Sequence, residues 1–149
     1  MKINHTFDSP RNIYEKLIRD SEALDIRING DNMFNFLSTA FHIQAWLKNS
    51  PITDTEQGKR LLKKASKEDW MKVCKDVLSA KNSFSIEIDD PTLLDGAEPD
   101  FTTKPKVYDI VHYKNGSKKF RFYLGSVEYD PYELKDQIIE CYSVYFQAK

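Results

Sequence analysis

The stretch from Asp31 to Asn49, DNMFNFLSTAFHIQAWLKN, constrains this chain more than any other. Its apolar residues Met33, Phe34, Phe36, Leu37, Ala40, Phe41, Ile43, Ala45, Trp46 and Leu47 would point to nearly every side of a helix. A surface helix keeps a polar stripe, whereas one that is apolar almost all round belongs inside a core. The expectation is a central buried helix around which the rest of the chain is organised. With Asn35, Ser38, Thr39, His42 and Gln44 inside it, the Met33–Leu47 run is too short and too polar to span a bilayer.

The 149 residues fit one domain, 1–149, long enough to bury a core without covalent staples. Hydrophobic residues at 40% and charged residues at 30% argue against disorder. A net charge of −1 gives no global field to recruit nucleic acid or an anionic membrane, so any such binding needs a local patch. The start, MKINHTFDSPR, carries no apolar secretory run, and the expected setting is cytoplasmic with no membrane partner. Cys74 and Cys141 lie far apart, with no metal or redox spacing, and read as reduced, half-buried thiols on helices.

Along the chain, Ser9-Pro10 starts a first helix carried by Ile13, Leu17, Ile18, Ser21 and Leu24. Asn29-Gly30 breaks it, Asp31 is placed to cap the second helix, and Ser50-Pro51 ends that one. Residues 52–65 are polar and basic with two anchors, Leu61 and Leu62, which reads as a short helix or a loose connector. Ser66-Lys67-Glu68-Asp69 resembles a capping box, and Trp70, Val73, Cys74, Val77, Leu78 and Lys81 predict a third main helix running to about Asn82. Phe84, Ile86 and Ile88 then alternate with polar residues as in a half-buried strand, and 90–104 reads as a loop. Val107–Tyr113 and Lys118–Leu124 flank Asn115-Gly116, predicting a β-hairpin at about 106–124. Asp130-Pro131-Tyr132-Glu133 opens a last helix whose apolar face is Leu134, Ile138, Cys141, Tyr142, Tyr145 and Phe146. The fold class is therefore α+β, mostly α: an antiparallel bundle of about four main helices with a small antiparallel hairpin before the last.

Several constellations bear on function. Glu87, Asp89, Asp90, Asp95, Glu98 and Asp100 form an acidic stretch, but the ladder of acids before a glycine that a calcium loop needs is missing, so it reads as solvated. No metal and no cofactor is expected. Lys104, Lys106, Lys114, Lys118, Lys119 and Arg121 interleave with Tyr108, Tyr113, Phe120, Phe122 and Tyr123, the composition of a single-strand binding surface and equally of an exposed hairpin guarded by lysines. His42 stands four residues after Ser38, so a Ser–His contact would be geometrically available on a helix, but no nucleophile elbow accompanies it. The plainer expectation is a polar core of Asp31, Asn35, Ser38 and His42 with a hydrogen-bonded histidine. His5 and His112 have no companion ligand at metal spacing.

One set of residues carries a resemblance. Asp31, Phe34, Phe36, Thr39, Ala40, His42 and Trp46 match an Asp-x-x-Phe-x-Phe…Thr-Ala…His…Trp pattern, and the segment resembles the second helix of small uncharacterised bacterial proteins with HEPN-like helical bundles. Val73-Cys74-Lys75-Asp76-Val77 is similar to their Cys-Arg-Asp-Ile stretch, and Tyr108–Lys149 to their closing section. The likeness touches about two-thirds of the chain and rests mostly on core residues, so it speaks to fold before function. It implies RNA cleavage through an Arg-x(4–6)-His motif completed across a dimer, in a defence or toxin–antitoxin setting. No histidine here has an arginine at that spacing upstream, and where the family tends to end its helix in Asn-x-x-Lys-His this chain reads Ser79-Ala80-Lys81-Asn82-Ser83. Serine cannot replace imidazole as an acid/base near neutral pH. The resemblance thus implies a non-catalytic interaction module with a protein partner, a second copy or another chain, and Lys75 and Lys81 as phosphate-facing remnants. The alternatives are a protein binding RNA or single strands through Lys75, Lys81, Lys118, Lys119 and Arg121, and a hydrolase centred on Ser38 and His42.

Overall fold

Local chemistry starts the first helix where expected. The computed structural model describes residues 1–4, 6–88, 92–93, 110–111 and 120–146. In α1 (Pro10–Ile26) the Ser9 hydroxyl accepts from the Asn12 N–H at 3.4 Å, and Pro10 sits in the first turn, where no N–H is needed. The cap of α2 (Gly30–Lys48) is Asn29, accepting from Asn32 N–H at 2.7 Å, rather than Asp31. Asp31 instead lies in the first turn, where its charge complements the helix dipole. After Ser50 the chain makes a 3-10 turn over Pro51–Asp54.

The basic connector proves to be a helix, α3 (Glu56–Lys67), capped by Thr55, which accepts from Gly58 N–H at 3.0 Å. Ser66 is not the cap of the next helix. Burying both Leu61 and Ala65, four residues apart, keeps the backbone helical through Ser66, whose hydroxyl turns back to donate to Lys63 O at 2.9 Å. Helix α4 (Asp69–Leu78) begins after Glu68, which makes no side-chain capping bond. It stops short of Asn82 because Ala80 takes a left-handed φ of +58°. Ala80 N–H then donates to Val77 O and Lys81 N–H to Asp76 O, the paired bonds that close a helix C-terminus.

Strands β1 (Phe84–Ile88), β2 (Thr92–Leu93), β3 (Ile110–Val111), β4 (Phe120–Leu124) and β5 (Val127–Tyr129) precede α5 (Pro131–Phe146). Three of them form an antiparallel sheet in the order β1-β4-β5, with Ile86 opposite Phe122 and Phe122 opposite Tyr129. The expected 106–124 hairpin is corrected here. Both edges of β4 are filled, by β1 and by β5, and Ile110-Val111 pairs with Thr92-Leu93 rather than with β4. The hairpin that does form turns at Gly125, whose φ of +59° suits glycine and whose N–H donates to Ser83 O at 2.8 Å. Asn115-Gly116, His5, His112 and the acids Asp89, Asp90, Asp95, Glu98 and Asp100 lie outside the described residues.

All five helices and β4 feed one hydrophobic cluster. Helix α2 supplies Met33, Phe36, Leu37, Ala40, Ile43 and Leu47 and packs on α1, α3 and α4. Helix α5 reaches it through Tyr142, whose hydroxyl donates to Ala40 O at 2.8 Å while its ring meets Trp70 edge-on. Each fully buried large apolar side chain contributes about 1.5–3 kcal/mol. The expectation for α2 needs one amendment: it is central but not wrapped all round. Phe34 remains 40% exposed, Phe41 and Trp46 are half-buried, and one face meets water.

Candidate functional site

The residues expected as a polar core occupy that wet face of α2. Asp31, Asn35 and His42 are exposed and Ser38 is half-buried. The reason is periodicity: positions 31, 35, 38 and 42 advance by four, three and four, which is one stripe of a 3.6-residue helix. The fold turns that stripe outward and buries Thr39 and Gln44 instead. Asp31 and Asn35 border a groove of about 780 Å³ between the start of α2 and β1. Among the described residues Ser38 and His42 share no hydrogen bond, and the His42 ring meets Phe41 edge-on with centroids 5.4 Å apart. Thr39 is one polar group that holds α1 to α2, alongside Asn32, whose Nδ2 donates to Ala23 O at 3.4 Å. The Thr39 hydroxyl lies 2.6 Å from Asp20 Oδ2 and accepts from Lys16 Nζ at 3.0 Å.

A second groove, of about 840 Å³, joins α2 to α4 and brings His42 beside Lys67, Lys72, Lys75 and Lys81. Glu68, Asp69 and Asp76 also line it. The reversal at Ala80 is what returns Lys81 to the wall occupied by Lys75. So the structure unites two of the lysines expected to bind nucleic acid with the histidine assigned to a different role. Arg121 is not part of this group. It lies on β4, with Nη2 3.4 Å from Glu87 Oε2 and Nε 4.0 Å from Glu128 Oε1, so its charge is spent across the sheet. Lys118 and Lys119 fall outside the described residues.

The larger positive surface is one the hairpin reading missed. Residues 56–81 hold Lys59, Arg60, Lys63, Lys64, Lys67, Lys72, Lys75 and Lys81 against Glu56, Glu68, Asp69 and Asp76, in a chain whose net charge is −1. All eight basic residues are exposed, and none forms an ion pair with a described residue. Elsewhere Lys16 and Lys135 are held by carboxylates. The signal was present in the spacing of Lys59, Lys63 and Lys67 opposite Leu61 and Ala65, a polar stripe against an apolar one.

Both thiols are free and buried. Burial pushes Cys74 up to about 12, only slightly offset by a backbone hydrogen bond. Burial also raises Cys141, partly countered by the Lys64 charge, with Glu68 adding a small upward push. Thiols held protonated are poor nucleophiles. No group of three or more His, Cys, Asp or Glu among the described residues is placed to hold a metal ion, and no described helix is long and apolar enough to cross a membrane. No family profile, curated protein or solved structure matches this chain.

Proposed function

We propose that this chain is a non-catalytic helical interaction module, an antiparallel HEPN-like bundle, whose partner is a single-stranded nucleic acid held across the α3–α4 face. One observation carries the reading. Lys67, Lys72, Lys75 and Lys81 line one open groove together with the exposed His42 ring and the half-buried Phe41 ring. Cations that neutralise phosphates beside aromatic faces that bases can stack on are the two ingredients of sequence-tolerant single-strand binding. The first ingredient extends beyond the groove along Lys59 and Lys63. The non-catalytic part draws its support from the buried thiols, Cys74 being held protonated, and from there being no hydrogen bond between Ser38 and His42 among the described residues. Cytoplasmic residence and a place in defence systems belong to the same proposal through the resemblance.

The test is fluorescence anisotropy of a labelled uridine dodecamer at several salt concentrations. Four phosphate contacts predict a log–log salt slope of roughly −3 and a loss of about fiftyfold between 50 and 200 mM salt. Changing Lys67, Lys72, Lys75 and Lys81 together to Gln should flatten that slope. Binding indifferent to both salt and the quadruple variant sinks the nucleic-acid reading and leaves an acidic protein surface as the partner to seek. Ribonuclease activity that disappears with His42→Ala sinks the non-catalytic part.

A further inference from the structure

Earlier along α3 lies a smaller, differently built pocket. It sits between α3 and α5 and has a volume of about 220 Å³. Its inner wall is Leu61 from α3 with Cys141 and Tyr145 from α5, all buried, and Val144, which is 65% exposed, stands at its opening. Arg60 and Lys64, four residues apart on α3 and hence stacked one turn above the other, complete the rim. Both are exposed, and neither forms an ion pair with a described residue. Two exposed cations bordering an apolar slot define a ligand with a charged end and a greasy end.

We propose that this pocket binds a medium-chain amphiphile: a short aliphatic chain inserted between Leu61, Cys141 and Val144, with one anionic head group held by Arg60 and Lys64. Size sets the chain length. An apolar cavity of about 150 Å³ accepts benzene, whereas drug-sized ligands fill about 300–1,000 Å³, so this slot suits roughly six to eight carbons and gains nothing from a longer chain. Charge sets the head group, since a carboxylate or a monoester phosphate satisfies a guanidinium and an ammonium that no described residue pairs. The site shares no lining residue with the α2–α4 groove, although Arg60 and Lys64 border the lysines of α3 that extend the nucleic-acid reading.

Isothermal titration of the full chain with butanoate, hexanoate, octanoate, decanoate, octyl phosphate and 1-octanol decides the matter. The expected result is one saturable site whose affinity rises about fourfold per added methylene up to octanoate and then levels off. Octanol should bind at least tenfold more weakly than octanoate or octyl phosphate, and whichever of those two is tighter names the head group. The double variant R60Q/K64Q should lose the preference for the anions over octanol, and V144W, at an exposed position that should tolerate bulk, should abolish binding by filling the slot. Cys141 offers a second readout: octanoate should slow its alkylation by N-ethylmaleimide in wild-type protein and leave V144W unaffected. No saturable binding of any anion, equal binding of octanol, or V144W binding like wild type would each overturn the proposal.

Discussion

Lys135 is the sharpest place to test how charge is handled in this fold. It is only 4% exposed, yet its ammonium contacts the Asp25 carboxylate, lies 3.7 Å from Asp136 Oδ1 and sits 5.4 Å from the Tyr132 ring centroid. The cross-link ties the start of α5 to the end of α1. Removing one partner of a buried pair leaves the other charge uncompensated at about 3–5 kcal/mol where that charge stays out of water, and replacing the whole pair with apolar groups of similar shape is often neutral. Here the Asp25 side chain is 36% exposed and Asp136 offers a second, wetter carboxylate, so the cost must be discounted. We expect Asp25→Asn to destabilise by about 2 kcal/mol and Lys135→Met by less than about 1 kcal/mol. For a chain of this size the first corresponds to a melting-point drop of roughly 4–8 °C. Urea denaturation at neutral pH measures both, and D25N/K135M should match K135M alone, because the asparagine no longer faces a stranded ammonium. A K135M variant as damaged as D25N would refute the reasoning and make the pair a net source of stability.

Three further outcomes are expected. Ala80→Gly removes a side chain from a left-handed position worth about 1–2 kcal/mol of strain, against about 0.4–1 kcal/mol of added unfolded-state entropy, so thermal melting should show a gain of about 0.5–1 kcal/mol. Gln44→Met should also stabilise, by about 1 kcal/mol in urea titration, because Gln44 Nε2 is buried with no hydrogen-bond partner among the described residues. Alkali should weaken the fold. Burial raises Cys74 from 9.0 to about 12 and also raises Cys141, Tyr142 and Tyr132, so above pH 9 the unfolded chain binds fewer protons than the folded one. Stability is then fully present below pH 9 and falls as pH climbs towards 12, by up to about 1.4 kcal/mol per pH unit for each group. A melting temperature flat from pH 8 to 11 would contradict those burial effects.

What the sequence disclosed, and what it withheld, follows from the range of the forces involved. Ser9-Pro10 and Asp130-Pro131 announced their helices because capping acts within a turn, and Asp130 Oδ1 duly accepts from Tyr132 and Glu133 N–H at 2.9 and 3.2 Å. The strand Phe84–Ile88 was legible in its alternation for the same reason. Its partner was not. Asn115-Gly116 is a strong turn signal, but pairing is decided by which edges a third strand leaves open, and β5 takes the edge of β4 through a turn at Gly125 that only its positive φ identifies. The site was misread through a related error. In α2 the aromatic density drew attention to burial, although Asp31, Asn35, Ser38 and His42 already spelled a solvent stripe at helical period. Counting apolar residues says that a helix enters a core, but the spacing of the polar ones says which side stays wet. On that wet side His42 meets the lysines of α4, which no spacing within either helix could have announced. A groove between two helices is a property of their packing, so its residues can be recognised as a set only once the helices are docked.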